Sequence, residues 1–224
     1  MTLIKGILFD FDGTLANTID LIVATFEHTL QTRLGFKPPR QDIINTIGLP
    51  LADALDILSQ RPDLVLELRK LYGEFNAANH DTMIKPIPGV AELLPALKER
   101  GLKIAIVTSK KPPMLERGMR CLDMLPYVDT IVSVVDTERG KPYADPMLLA
   151  CQRLQLAPEE CLCVGDSPFD IQSGNAAGNI TVAVEYTCLD WSTIMEQGKP
   201  DYTIAKPMDL LSLMDKLNGN KKVR

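Results

Sequence analysis

Five short runs of apolar, largely β-branched residues recur along the chain, at residues 3–9, 103–108, 130–135, 161–165 and 180–184. Each has the length of a strand and little polar alternation, the pattern of a strand buried on both faces. Between them lie helical periods: Val90, Leu93, Leu94 and Leu97 before Gly101, then Met114, Leu115, Met119 and Leu122, then Met147, Leu148, Cys151 and Leu154. Strands that alternate with helices must be joined by crossovers. The chain is therefore expected to be α/β, with a doubly wound parallel sheet and right-handed connections. A last helix is expected over residues 208–217, where Leu210, Leu211, Met214 and Leu217 keep the period, followed by a frayed polar tail over 218–224.

Residues 17–85 break this rhythm, with helical stripes and no convincing strand between them. Ile22, Phe26 and Leu30 repeat every four residues, and Leu64, Leu68, Leu71, Tyr72 and Phe75 mark a second stripe. Both read as packing faces of a small helical bundle inserted into the sheet domain. The return to the sheet runs through Ile84-Lys85-Pro86-Ile87-Pro88-Gly89, which two prolines and a glycine stiffen. With residues 15–18 it makes a two-stranded hinge. The expected division is an α/β core of residues 1–16 and 86–224 with a helical domain of residues 17–85.

With 46% hydrophobic residues among 224, the chain can bury one large core and a small second one. A formal charge of −5 argues against nucleic acid or an anionic membrane as the main partner. The opening MTLIKGILFDFDG meets carboxylates too soon for a signal peptide or membrane span, so a cytoplasmic protein is expected. Cys121, Cys151, Cys161, Cys163 and Cys188 form no C-x-x-C pair, and His28 and His80 lie far apart, so neither a disulfide framework nor a zinc site is indicated. The expected partner is a small anion, and monomer and homodimer both stay open.

In open parallel sheets, ligands bind beyond the carboxyl ends of the strands. Four strand ends carry suitable residues: Asp10-Phe11-Asp12-Gly13-Thr14-Leu15, Thr108-Ser109-Lys110, Lys141-Pro142, and Gly165-Asp166-Ser167-Pro168-Phe169-Asp170. Asp10 and Asp12 are two apart, which in extended backbone turns both to the same side. Their repulsion calls for compensation, and magnesium, a hard cation that takes one or two carboxylates plus water and phosphate oxygens, supplies it. A string D-x-D-G-T-L arises by chance in a chain this long with an expectation on the order of 10⁻⁴.

That string, closing the first strand run, resembles the nucleophile motif of the haloacid dehalogenase-like superfamily. Thr108 resembles its second motif, Lys141 in Gly140-Lys141-Pro142-Tyr143-Ala144 its third, and the segment from Gly165 to Asp170 its fourth. Relatives commonly have proline where Ala144 stands. The resemblance spans nearly the whole chain and implies an aspartyl-phosphate mechanism. In it Asp10 is the nucleophile and Asp12 the general acid and base. Asp10, Asp166, Asp170 and the backbone carbonyl of Asp12 surround Mg²⁺, and Thr108, Ser109 and Lys141 hold the phosphoryl group. An acid at position 12 belongs to the phosphotransferases of the superfamily and not to its dehalogenases.

The helical insertion is similar to the family's cap, which closes over the substrate. Asn17, Thr18, Gly48 in the Gly48-Leu49-Pro50 turn, and Lys110 are the candidate substrate contacts. Among capped members the chain looks closest to phosphoglycolate phosphatases and to enzymes that hydrolyse inorganic diphosphate. The expected activity is Mg²⁺-dependent hydrolysis of a small phosphomonoester, phosphoglycolate-like; diphosphate hydrolysis and a β-phosphoglucomutase-like phosphomutase are the alternatives. His80 is a further candidate, for a second phosphate.

Overall fold

The structure, a computed structural model, describes residues 3–219, so the last part of the expected polar tail lies outside the described residues. The chain divides into two compact units, parting between Ala16 and Asn17 and again between Lys85 and Pro86.

In chain order, strand β1 (Gly6–Phe9) and the two-residue strand β2 (Ala16–Asn17) lead into helices α1 (Ile19–Leu34), α2 (Arg40–Ile44), α3 (Leu51–Ser59) and α4 (Val65–Met83). Strand β3 (Lys85–Pro86), which pairs with β2, returns the chain to α5 (Val90–Glu99), β4 (Lys103–Val107), α6 (Pro112–Cys121) and β5 (Thr130–Val132). There follow α7 (Asp145–Leu154), β6 (Cys161–Gly165), α8 (Pro168–Ala177), β7 (Ile180–Val184), the short α9 (Trp191–Thr193), β8 (Tyr202–Ile204) and α10 (Asp209–Leu217).

Six strands form one parallel sheet in the order β5-β4-β1-β6-β7-β8. The chain builds outward from β1 through β4 to β5, then returns to the other side of β1. The strand order thus reverses at β1, where such sheets bind ligands. Phe9 pairs with Ile106 on one side and Val164 on the other, so Asp10, Val107 and Gly165 end their strands level with one another.

Burial explains the strand runs. Ile7, Phe9, Ile104, Ile106, Leu162, Val164, Val182 and Val184 pack with α5 and α10 residues on one face, while Leu8, Ala105, Val107, Cys161 and Cys163 meet α7 on the other. Each fully buried large aliphatic side chain contributes about 1.5–3 kcal/mol. None of the five cysteines is in a disulfide.

Two expectations need correction. The run expected over 130–135 leaves the sheet at Val132, because the Ser133 amide and hydroxyl both donate to Asp136 Oδ2 and turn the chain. Val135 is consequently 67% exposed. Strand β8 was not anticipated. It has only three residues, and Thr203 between Tyr202 and Ile204 is exposed, so no apolar run announces it.

Between its end residues Asn17 and Lys85, which belong to β2 and β3, the second unit is built of helices and their connecting turns. Helix α1 lies against α4 through an edge-on Phe26–Tyr72 pair and a stacked His28–Phe75 pair, with ring centroids 4.9 and 4.2 Å apart. Leu30 and Leu68 are fully buried, as their stripes require. Gly35, at φ 76°, ends α1 with its amide on the Gln31 carbonyl. Among the described residues, no helix is long and apolar enough to cross a membrane.

Candidate active site

The first strand delivers Asp10 directly. Its amide donates to the Val164 carbonyl at 2.9 Å, one step beyond the β1–β6 ladder. The chain then turns tightly: the Gly13 amide bonds the Ala16 carbonyl at 2.8 Å, and the Ala16 amide returns to Phe11 at 2.9 Å. Gly13 has φ 87°, and a Cβ on it would lie 2.2 Å from Asp166 Oδ2. Only glycine satisfies both conditions.

Asp10, Asp166 and Asp170 are all buried, and each offers an oxygen within 4.8 Å of the others. Lys141, its side chain 4% exposed, reaches into this group. Its ammonium donates to Asp10 Oδ1 at 2.7 Å, to Asp170 Oδ1, and to the Val107 carbonyl at 2.9 Å, which employs all three protons. Asp170 is fixed from its other oxygen as well, since Ser167 donates to Oδ2 through its hydroxyl at 2.6 Å and its amide at 3.1 Å. Ser167 and Asp170 together form the capping box that starts α8.

One lysine against three carboxylates leaves the site negative. Burial lifts the Asp10 carboxyl to about 7, against the pull of Lys141 and with the added repulsion of Asp170 and Asp12. Burial, then Asp10 and Asp170, push Asp166 well above the usual carboxylate range. Burial alone would lower the Lys141 ammonium, but Asp10 and Asp170 outweigh it and raise it. A buried trio of hard oxygen donors short of positive charge fits magnesium, and the residues present can hold it.

The Asp12 carboxylate stands outside that trio. It pairs with Lys110, whose ammonium donates to Oδ1 at 2.8 Å and also lies over the Phe11 ring at 5.5 Å. Lys110, expected only as a substrate contact, is thus tied to Asp12. The Thr108 hydroxyl accepts from the Lys110 amide at 3.1 Å, and the half-buried Ser109 lies between them. Thr108 itself is anchored by its amide on the Val132 carbonyl at 2.9 Å.

The carboxyl edge of the sheet therefore gathers Asp10, Asp12, Thr108, Ser109, Lys110, Lys141, Asp166 and Asp170. Asn17, Thr18 and Gly48 belong to the helical unit. There Asn17 is exposed, Gly48 turns the chain at φ 97°, and Thr18 is fully buried without a hydrogen-bond partner for its hydroxyl. His80 is likewise buried in α4, its Nδ1 2.8 Å from Asp81.

Sequence reasoning missed the loop after β7. Tyr186 donates to the Thr14 carbonyl at 3.2 Å, and Thr187 donates to Asp166 Oδ2 at 3.3 Å. A hydroxyl just past the fifth apolar run, on the edge where the other candidates lie, was the signal available.

Comparison with known proteins gives the family. Residues 7–184 match the model of the haloacid dehalogenase-like hydrolase family. A PpaX protein of Clostridium perfringens strain 13 is 40% identical over 217 residues, 97% of this chain and 100% of that protein. The pyrophosphatase PpaX of Bacillus mycoides is 37% identical over 216 residues, 96% of this chain and 99% of its own. The crystal structure of a predicted phosphoglycolate phosphatase from Haemophilus somnus superposes with a TM-score of 0.87 at 25% identity, over 95% of this chain and 99% of the other. This chain belongs to the haloacid dehalogenase-like hydrolases.

Proposed function

We propose that the chain is a magnesium-dependent phosphatase that forms an aspartyl phosphate on Asp10 and acts on a small, highly charged phosphate compound, with inorganic diphosphate the leading substrate. The observation that carries the chemistry is the buried trio of Asp10, Asp166 and Asp170 with Lys141 set into it. The near-full-length relatives carrying the PpaX name, one of them called a pyrophosphatase, favour diphosphate over the phosphoglycolate-like monoester that the sequence put first. The Haemophilus somnus structure keeps phosphoglycolate as the second reading.

Asp10 ends a buried strand, so its carboxylate is held for in-line attack on phosphorus rather than left to search for it. Asp10, Asp166 and Asp170 would hold magnesium, whose charge would offset the repulsion between the nucleophile and an anionic substrate. Lys141 pulls Asp10 toward its ionised form and orients it, and Asp170 holds Lys141 in place. The Thr108 hydroxyl and the Ser109 side chain would receive phosphoryl oxygens. Asp12 would protonate the leaving oxygen and then draw a proton from the attacking water. Lys110 restrains the Asp12 carboxylate between those steps. The helical unit, in this reading, is a cap that excludes water and chooses the leaving group, with Asn17, Thr18, Gly48 and His80 as its contributors. The setting is the cytoplasm, and the partner is a soluble metabolite rather than nucleic acid or membrane.

The test is phosphate release from diphosphate, 2-phosphoglycolate, sugar phosphates and nucleotides, with magnesium and with chelator. Rapid cleavage of diphosphate only with magnesium supports the reading. Preference for phosphoglycolate would install the second one, and an isomerised sugar phosphate without free phosphate would replace both by a mutase.

A further inference from the structure

Asp166 presents a packing problem. It is 2% exposed, is repelled by Asp10 and Asp170, and among the described residues no lysine donates to it as Lys141 does to Asp10. A buried carboxylate so placed swings away unless neutral dipoles and walls hold it. The wall is Gly13, which leaves space for Oδ2 where any side chain would collide with it. The dipole comes from the loop after β7. The Leu189 amide donates to Thr187 Oγ1 at 3.0 Å, which occupies the acceptor side of that hydroxyl, and the hydroxyl donates onward to Asp166 Oδ2 at 3.3 Å. The same loop grips the nucleophile turn, because the Tyr186 hydroxyl donates to the Thr14 carbonyl. Neighbouring residues of one loop thus fix the fourth motif against the first.

We propose that Thr187 is a positioning residue: its hydroxyl, set by the Leu189 amide, orients the Asp166 carboxylate for the divalent cation. With Oδ2 held by Thr187 and bounded by Gly13, rotation of the carboxylate is restricted. The inference rests on the metal-dependent reading of the site and adds a residue outside its four motifs. Partners that orient a metal-binding side chain are typically worth about 10–100-fold in metal affinity.

The test uses Mn²⁺ as the probe, titrated into the full chain, with the free ion counted by electron paramagnetic resonance. Wild type, Thr187→Val, Thr187→Ser and Asp166→Asn are compared. Valine keeps the shape and removes the hydroxyl, and Thr187→Ala is a second hydroxyl-free variant should valine disturb folding. The expected result is Mn²⁺ affinity about 10-fold weaker in the valine and alanine variants and within about twofold of wild type in the serine variant. The magnesium concentration for half-maximal activity should move in parallel. Wild-type affinity in both hydroxyl-free variants would overturn the role of Thr187 while leaving the site intact. Absence of Mn²⁺ binding by wild type, or wild-type binding by Asp166→Asn, would instead overturn the metal site itself and the inference with it.

Discussion

The ammonium of Lys141 lies 2.7 Å from Oδ1 of Asp10 and serves Asp170 as well, so one buried cation offsets two buried carboxylates. A pair of this kind adds little as a pair but becomes costly when halved, because the remaining charge stays buried.

Lys141→Met therefore should destabilise the fold by about 3–5 kcal/mol as well as abolish turnover. Chemical denaturation and phosphate release check the two effects separately. A fully stable, inactive variant would mean that Asp10 and Asp170 take up protons without strain.

Gly13→Ala should misplace Asp166, since the new Cβ would meet Oδ2 at 2.2 Å on a backbone already at φ 87°. The left-handed backbone adds about 1–2 kcal/mol of its own. The expected result is a lower melting temperature together with a higher magnesium requirement. A loss of stability with an unchanged magnesium requirement would place Asp166 outside the metal site.

The Lys110–Asp12 pair, 2.8 Å apart, gives a third expectation. Lys110→Met should lower kcat about 10-fold or more while changing KM far less, because the lysine restrains a group that moves protons rather than one that binds substrate. A change confined to KM would return Lys110 to the substrate-contact role that its sequence position suggested.

Asp136 supplies a pH signature away from the active site. The Ser133 hydroxyl first, and then Arg153, hold its carboxyl down at about 2 from an ordinary value of 3.8. A depressed carboxyl stabilises the fold above its unfolded value and loses that contribution as pH falls toward the folded one. The gap in stability between wild type and Asp136→Asn should thus be constant above pH about 5 and shrink as pH falls from about 4 toward 2. Thermal melts across that range check it, and a constant gap would assign the effect to packing.

The strands β1, β4, β6 and β7 were legible because burial on both faces writes itself into sequence as unbroken apolar runs. Strand β8, at the edge with an exposed Thr203, left no such mark, and the end of β5 was set by Asp136 capping Ser133, a side-chain contact that apolar pattern cannot carry. At the site, Asp10, Thr108, Lys141 and Asp166 could be singled out because each stands just past a strand or in a compact motif. The pairing of Lys110 with Asp12, the hold of Asp170 on Lys141, and the reach of Thr187 to Asp166 depend on rotamers and loop geometry. None of these follows from spacing along the chain.

The central claim, covalent transfer to Asp10, is tested most directly by rapid acid quench of the enzyme with ³²P-labelled diphosphate and magnesium, followed by proteolysis and peptide mapping. The account predicts label on the peptide that contains Asp10 in wild type and none in Asp10→Asn. Steady release of phosphate from wild type with no labelled Asp10 peptide at any quench time, or label retained in Asp10→Asn, would contradict it.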